Sequence, residues 1–232
     1  MSLNLRQKRK SKIEQGFSLL ELLVVILILG IVAAMAVPNW LRIRKNARIS
    51  GDAHGLSEAL SVAKMRAAAS FTQSRVFLYS GTNPYFRIDV WNKTANNPNG
   101  CWVADGIQNP GTGTTYCITT TGTTNYETLL SPGVSAGFGT ISTAPDLMAT
   151  VQQGTDASGG CWQGAANSPS GGSEISNAAC IQFNSRGYPA TSTGAGLYIT
   201  DGRRVFSSTS NAMGLVHTYG TDASGTPNWK AQ

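Results

Sequence analysis

A chain of 232 residues has room for one ordinary domain and a membrane segment. Only 13% of its residues are charged, and Gly, Ser, Thr and Asn crowd the second half, a mixture that argues against a helical cytosolic enzyme and for a β-rich protein working outside the cytoplasm. The formal net charge of +6 divides as +4 over residues 1–16, −1 over 17–38, +5 over 39–76 and −2 over 77–232, so the positive charge flanks the apolar segment and the body is slightly acidic, a poor electrostatic footprint for nucleic acid.

The first element is a basic stretch, RQKRKSKIEQG, ending at Gly16. Phe17 to Val37 follow as 21 residues with the single charge of Glu21. As a helix this run is about 30 Å long, enough to cross the hydrocarbon of a bilayer. A conventional secretory signal has a shorter apolar core and a small-residue cleavage site, which leaves a cut around Ala34 to Ala36 as the second alternative. A carboxylate deep in a membrane helix costs about 2.5–3.5 kcal/mol and usually has a partner. If the chain is cut before Phe17, the new α-amine lies four residues away and can pair with Glu21, on the same helix or a neighbour. Without a partner, Glu21 would have to sit near the membrane interface.

Gly16-Phe17-Ser18-Leu19-Leu20-Glu21 and the long apolar run resemble the prepilin signal of type IV pilins and type II secretion pseudopilins. In that pattern Gly16 precedes the cut, Phe17 is the first mature residue, Glu21 the fifth and Pro38 the twenty-second. The resemblance implies removal of residues 1–16 by a prepilin peptidase and N-methylation of Phe17. It also implies that Glu21 sets register against the N-terminus of an adjacent subunit. The expected location is a single pass of the inner membrane, N-terminus cytoplasmic and head periplasmic, then a pilus or pseudopilus. Charge counting favours that orientation only weakly, because Arg42, Arg44, Lys45 and Arg48 follow the span almost as densely as the leader precedes it.

The span is taken as residues 17–38 and an amphipathic stem helix as 39–74. Pro38 should bend or loosen the helix near Ala34 to Val37. Leu56, Leu60, Ala63, Ala67 and Phe71, spaced four, three, four and four, form one apolar stripe that asks for a covering sheet. The cations at 42–48 either touch lipid phosphates or acidic groups on neighbouring stems, or face solvent.

Residues 75–232 form a β-rich head. Strands are predicted at Val76–Ser80, Tyr85–Asn92, Trp102–Ala104, Tyr116–Thr120, Val134–Ile141, Ile181–Asn184, Leu197–Thr200, Arg203–Ser207 and Leu215–Thr218, with Gly, Pro and Asn between them. The expected fold class is α+β, a long N-terminal helix packed on one meandering antiparallel sheet. Cys101, Cys117, Cys161 and Cys180 allow three pairings. Gly100-Cys101-Trp102 leading to Cys117-Ile118 echoes Gly160-Cys161-Trp162 leading to Cys180-Ile181. Each echo reads as a strand pair closed by a disulfide, Cys101–Cys117 and Cys161–Cys180, with its Trp on the sheet. Each closure stabilises the fold by about 3 kcal/mol in the chain-entropy model. The last fifty residues resemble the GspH/FimU/FimT branch of minor pilins and pseudopilins, through Ile181-Gln182-Phe183-Asn184, Arg186-Gly187-Tyr188-Pro189 and a terminal hairpin.

No nucleophile elbow, Walker loop, H-E-x-x-H or metal-spaced histidine cluster is present in the sequence, so neither enzyme nor cofactor nor metal site is expected. His54 and His217 read as structural. The repeated Thr-Asp-Ala-Ser-Gly at 155 and 221 offers one carboxylate per copy, which suits a turn better than calcium. The resemblance implies a minor type IV pilin acting in pilus initiation or at the tip. It would serve twitching motility, adhesion or DNA uptake, with other minor and major pilins as partners. A type II secretion minor pseudopilin is the alternative. DNA binding by this subunit alone has only Arg203-Arg204 in its favour, on a head of net −2.

Overall fold

The computed structural model describes residues 17–93, 100–107, 117, 126–141, 144–145, 151–152, 160–164, 173–190, 194–224 and 226–232. Its first element is helix α1, Leu19–Ala69. The chain divides into two compact units, Met1–Lys45 and Asn46–Gln232. In the first, the described residues are the apolar part of α1, and every side chain described from 17 to 37 is exposed. The loosening expected before Pro38 does not interrupt the element, and residues 34–38 are all helical. Proline removes a single i→i−4 bond there, and the bonds around it carry the helix on.

In the second unit α1 buries Ile49, Ala53, Leu56, Leu60, Ala63 and Ala67. Four of the five predicted stripe residues are thus covered, and Ile49 and Ala53 extend the stripe towards the N-terminus. Phe71 departs from it. The helix ends at Ala69, Phe71 turns left-handed at φ 49°, and its side chain is 77% exposed. The Thr72 amide donates back to the Ala67 carbonyl, a Schellman-type end that satisfies an orphan carbonyl and swings residue 71 off the helical period.

Among the described residues twelve strands follow: β1 Ser74–Tyr79, β2 Tyr85–Asn92, β3 Cys101–Ala104, β4 Thr128–Leu129, β5 Ser135–Ala136, β6 Val151–Gln152, β7 Gly160–Trp162, β8 Glu174–Phe183, β9 Ala195–Thr200, β10 Arg204–Ser210, β11 Val216–Asp222 and β12 Lys230–Ala231. The fold is α+β, as expected. Its sheet plan is a correction, because two six-stranded sheets replace the single meander. The first has the order β3-β2-β1-β8-β7, with β4 also on β2; the second has the order β12-β11-β10-β9-β5, with β6 parallel to β9. β8 arrives from far along the chain to pair with β1 in the register Val76↔Ile181. Its residues Ala178–Phe183 are buried on both faces, the pattern of a central strand.

Alternation along β1 and β2 sorts the first sheet. Val76, Leu78, Phe86 and Ile88 join the helix stripe, as do Ile181 and Phe183 of β8 and Leu197, Ile199 and Phe206 from the second sheet. Ser74 Oγ and Ser208 Oγ donate to the Ala63 and Ala53 carbonyls, so the small helix residues let both sheets approach the backbone. The predicted strand Val134–Ile141 shrinks to Ser135–Ala136, since Gly137 and Gly139 adopt φ 120° and 57° and form turns. Tyr116–Thr120 lies outside the described residues except Cys117, which is in no strand.

The opposite face of the first sheet buries charge. Arg75 Nε donates to Asp89 Oδ2 at 2.8 Å and Arg87 Nε to Asp89 Oδ1 at 2.9 Å. Arg87 Nη1 also reaches Glu127 Oε1 at 3.1 Å, and Arg75 Nη1 the Trp162 carbonyl at 2.7 Å. The Arg75 guanidinium lies 4.3 Å from the Trp102 ring centroid, and that of Arg87 4.4 Å from Phe77. Two cations meet two anions, so the cluster is neutral. Burial pushes the Arg75 pKa down while Asp89 opposes the shift. Burial likewise raises the Tyr85 phenol to about 12, against the pull of Arg87.

Candidate functional site

Helices start where a side chain can satisfy amide groups that have no carbonyl one turn back. Here Ser18 does so, its Oγ accepting from the Glu21 amide at 3.1 Å. Ser18-Leu19-Leu20-Glu21 has the S-x-x-E spacing of a capping box, and Glu21 also sits where the helix dipole favours a negative charge. That spacing is a signal in the sequence itself, distinct from the charge of Glu21 that drew attention to the residue. Phe17 stands just outside the helix and is exposed. Gly16 lies outside the described residues, and Pro38 lies within α1.

The first unit therefore presents an apolar cylinder whose described side chains find no cover within the chain, with one carboxylate in its first turn. It is long and apolar enough to cross a membrane. Leaving such a surface in water is costly at roughly 25 cal/mol per Å2, so lipid or other helices must cover it. Past the apolar run, Arg42, Arg44 and Lys45 are exposed as well.

In the second unit, Cys101 is bonded to Cys117 and Cys161 to Cys180, with Cα separations of 5.5 and 5.3 Å. The second disulfide joins the paired strands β7 and β8. The first joins β3 to a residue outside any strand, which corrects the strand-pair reading of that echo. Trp102 is fully buried and donates from Nε1 to the Gly164 carbonyl, so the segment after Cys161 packs over the first disulfide's strand.

The stretch after β8 contains a device that periodicity and motif spacing did not reveal. Asn184 Oδ1 accepts from the Arg186 and Tyr188 amides, and Asn211 Oδ1 accepts from the Met213 and Leu215 amides. In both turns the Asn amide donates to the fifth residue's carbonyl and the fourth, Gly187 or Gly214, donates back to Asn. Asn-x-x-Gly-x thus folds twice in the same way, and Lys64 Nζ donates to the Gly214 carbonyl at 2.9 Å. A side chain on Gly214, at φ +74°, would meet the Gly187 carbonyl at 3.0 Å. Gly202, at φ +81°, has open space around it. Gly214→Ala is expected to cost about 2 kcal/mol, against about 1 kcal/mol for Gly202→Ala, as read by urea denaturation of the detergent-solubilised chain.

Arg203 and Arg204 are engaged locally. Arg203 lies 3.6 Å from Asp201 and donates to Asn46, while Arg204 lies 3.7 Å from Asp222. His54 is exposed on α1, and His217 lies on β11 beside Tyr219. The first Thr-Asp-Ala-Ser-Gly copy lies outside the described residues. Among the described residues, no group of three His, Cys, Asp or Glu side chains could hold a metal ion.

No curated protein and no solved structure matches the chain. Residues 11–37, which hold the end of the basic stretch, Gly16, the Ser18 cap, Glu21 and the apolar turns, match the model of the prokaryotic N-terminal methylation motif. The match covers this N-terminal segment alone; such a motif implies processing by a prepilin peptidase, membrane anchoring and assembly with pilin subunits, and so supports a pilin or pseudopilin type of chain.

Proposed function

We propose that this chain is a minor type IV pilin of the GspH/FimU/FimT type, cut between Gly16 and Phe17, methylated at Phe17 and assembled near the tip of a pilus. On this reading residues 17–38 span the inner membrane and later the filament core, 39–74 form the stem, and 75–232 form the periplasmic head. Support comes chiefly from one observation: an uncovered apolar helix with a single carboxylate in its first turn, four residues from the amine that cleavage would create. In a bundle of such helices an ionised Glu21 costs less beside an α-ammonium of a neighbour than alone. A minor pseudopilin of a type II secretion system would use the same parts. The local ion pairs of Arg203 and Arg204 leave little free charge for DNA binding by this subunit alone.

Intact-mass and N-terminal peptide spectrometry of the membrane-extracted chain should find a methylated Phe17 as its first residue. A retained leader, or a start near Ala36, refutes the reading. Sheared surface filaments should contain the chain in trace amounts. Its absence there, with presence only in cells secreting through a type II system, supports the pseudopilin.

A further inference from the structure

Arg42, Arg44 and Lys45 stand on the helix just past the apolar run, all exposed. Among the described residues none of the three has an ion pair or hydrogen-bond partner. From Phe17 to Glu58 the only acids are Glu21, Asp52 and Glu58. Asp52 is already held by the Ser131 amide and hydroxyl at 2.9 and 3.0 Å. Among the described residues, the cationic turn therefore lacks a counter-charge.

The docking of this turn depends on the pilin-type bundling proposed for the apolar helices. A contact between Glu21 and a neighbour's Phe17 amine offsets adjacent helices by four residues, or about 6 Å. Residues 42–45 of one copy would then lie beside 38–41 or 46–49 of another. Those segments read Pro-Asn-Trp-Leu and Asn-Ala-Arg-Ile, with no carboxylate and one further arginine. Two identical copies would set Arg44 level with Arg48 on helices about 8–10 Å apart, cation beside cation at about the distance over which salt screens charge.

We infer that Arg42, Arg44 and Lys45 dock on the stem helix of a different pilin-type subunit that carries Asp or Glu at that level, and that this chain enters a filament one copy at a time. The arginine forks match carboxylates in a bidentate geometry. Repulsion excludes a second copy while the same cations select the acidic stem, so one surface supplies both attraction and rejection.

A photo-crosslinking residue in place of the exposed Ile43, in the full chain expressed in its own cells, tests this directly. The adduct is expected on a stem peptide of another pilin-type subunit, with an Asp or Glu within one turn of the linked residue. An adduct to a second copy, or only to phospholipid, overturns the inference. The variant Arg42→Glu/Arg44→Glu/Lys45→Glu should still begin at Phe17, and its amount in sheared filaments should fall about tenfold. Exchanging the partner's carboxylates for Lys should restore it. Unchanged incorporation, or a loss that this exchange does not rescue, overturns the inference. A wild-type chain that starts elsewhere than Phe17 overturns the functional reading as well, which separates the two failures.

Discussion

Replacing Asp89 with Ala should destabilise the β-rich unit by about 3–5 kcal/mol, enough to leave much of the chain unfolded. Asp89 is fully buried and takes the Nε donors of both Arg75 and Arg87. Without it two buried guanidiniums are left with one carboxylate, Glu127, which is bound to Arg87. Arg75 would keep the Trp162 carbonyl and the face of Trp102, contacts that do not neutralise a charge. The loss combines the unpaired buried cation with two charge-assisted hydrogen bonds of about 1.5–3 kcal/mol each. Asp89→Asn keeps the volume and one acceptor and should lie between wild type and Ala. Urea denaturation of the detergent-solubilised chain, followed by tryptophan fluorescence, measures both variants. A loss below about 1 kcal/mol for Asp89→Ala would show that Arg75 had found another anion or water.

Glu21→Ala should leave cleavage before Phe17 intact and cut the amount of chain in sheared filaments about a hundredfold. An unpaired charge in apolar surroundings costs about 2.5–3.5 kcal/mol, and each 1.4 kcal/mol is tenfold in an equilibrium. In the variant the unpaired group is the neighbour's amine. The substitution spares the cap, since the bond to Ser18 Oγ comes from the backbone amide of residue 21. It removes a favourable helix-dipole charge of only about 0.3–1 kcal/mol. Ser18→Ala separates the two effects: it deletes the cap, at about 0.5–2 kcal/mol, and keeps the carboxylate. Near-normal incorporation of Ser18→Ala beside a large loss for Glu21→Ala is the expected pair of results. Normal incorporation of Glu21→Ala ends the charge-pair mechanism. Immunoblots of sheared and cell-bound fractions give the numbers.

Much of the molecule was legible because its strongest signals are local. Twenty-one residues with one charge declare a helix that needs lipid or other helices, since transfer free energies add residue by residue. The spacing of Leu56, Leu60, Ala63 and Ala67 declared the buried stripe, and β2 lies where its alternation placed it, at Tyr85–Asn92. Phe71 shows the limit of such periodicity. Its spacing is correct, but the chain had already left the helix through a left-handed residue, a conformation bulky side chains seldom adopt.

The amino-acid order by itself determined the apolar N-terminal helix, its processing-type signature, the amphipathic stem and the change to short strands. Each depends on residues within a few turns of one another. Tertiary structure alone decided that β8 lies beside β1, that two sheets clasp the stem, and that Arg75, Arg87, Asp89 and Glu127 meet out of water. Alternation tells which side of a strand a residue occupies. Whether that side is wet depends on segments distant in the chain, such as the Trp162 carbonyl over Arg75, and no local pattern encodes their arrival.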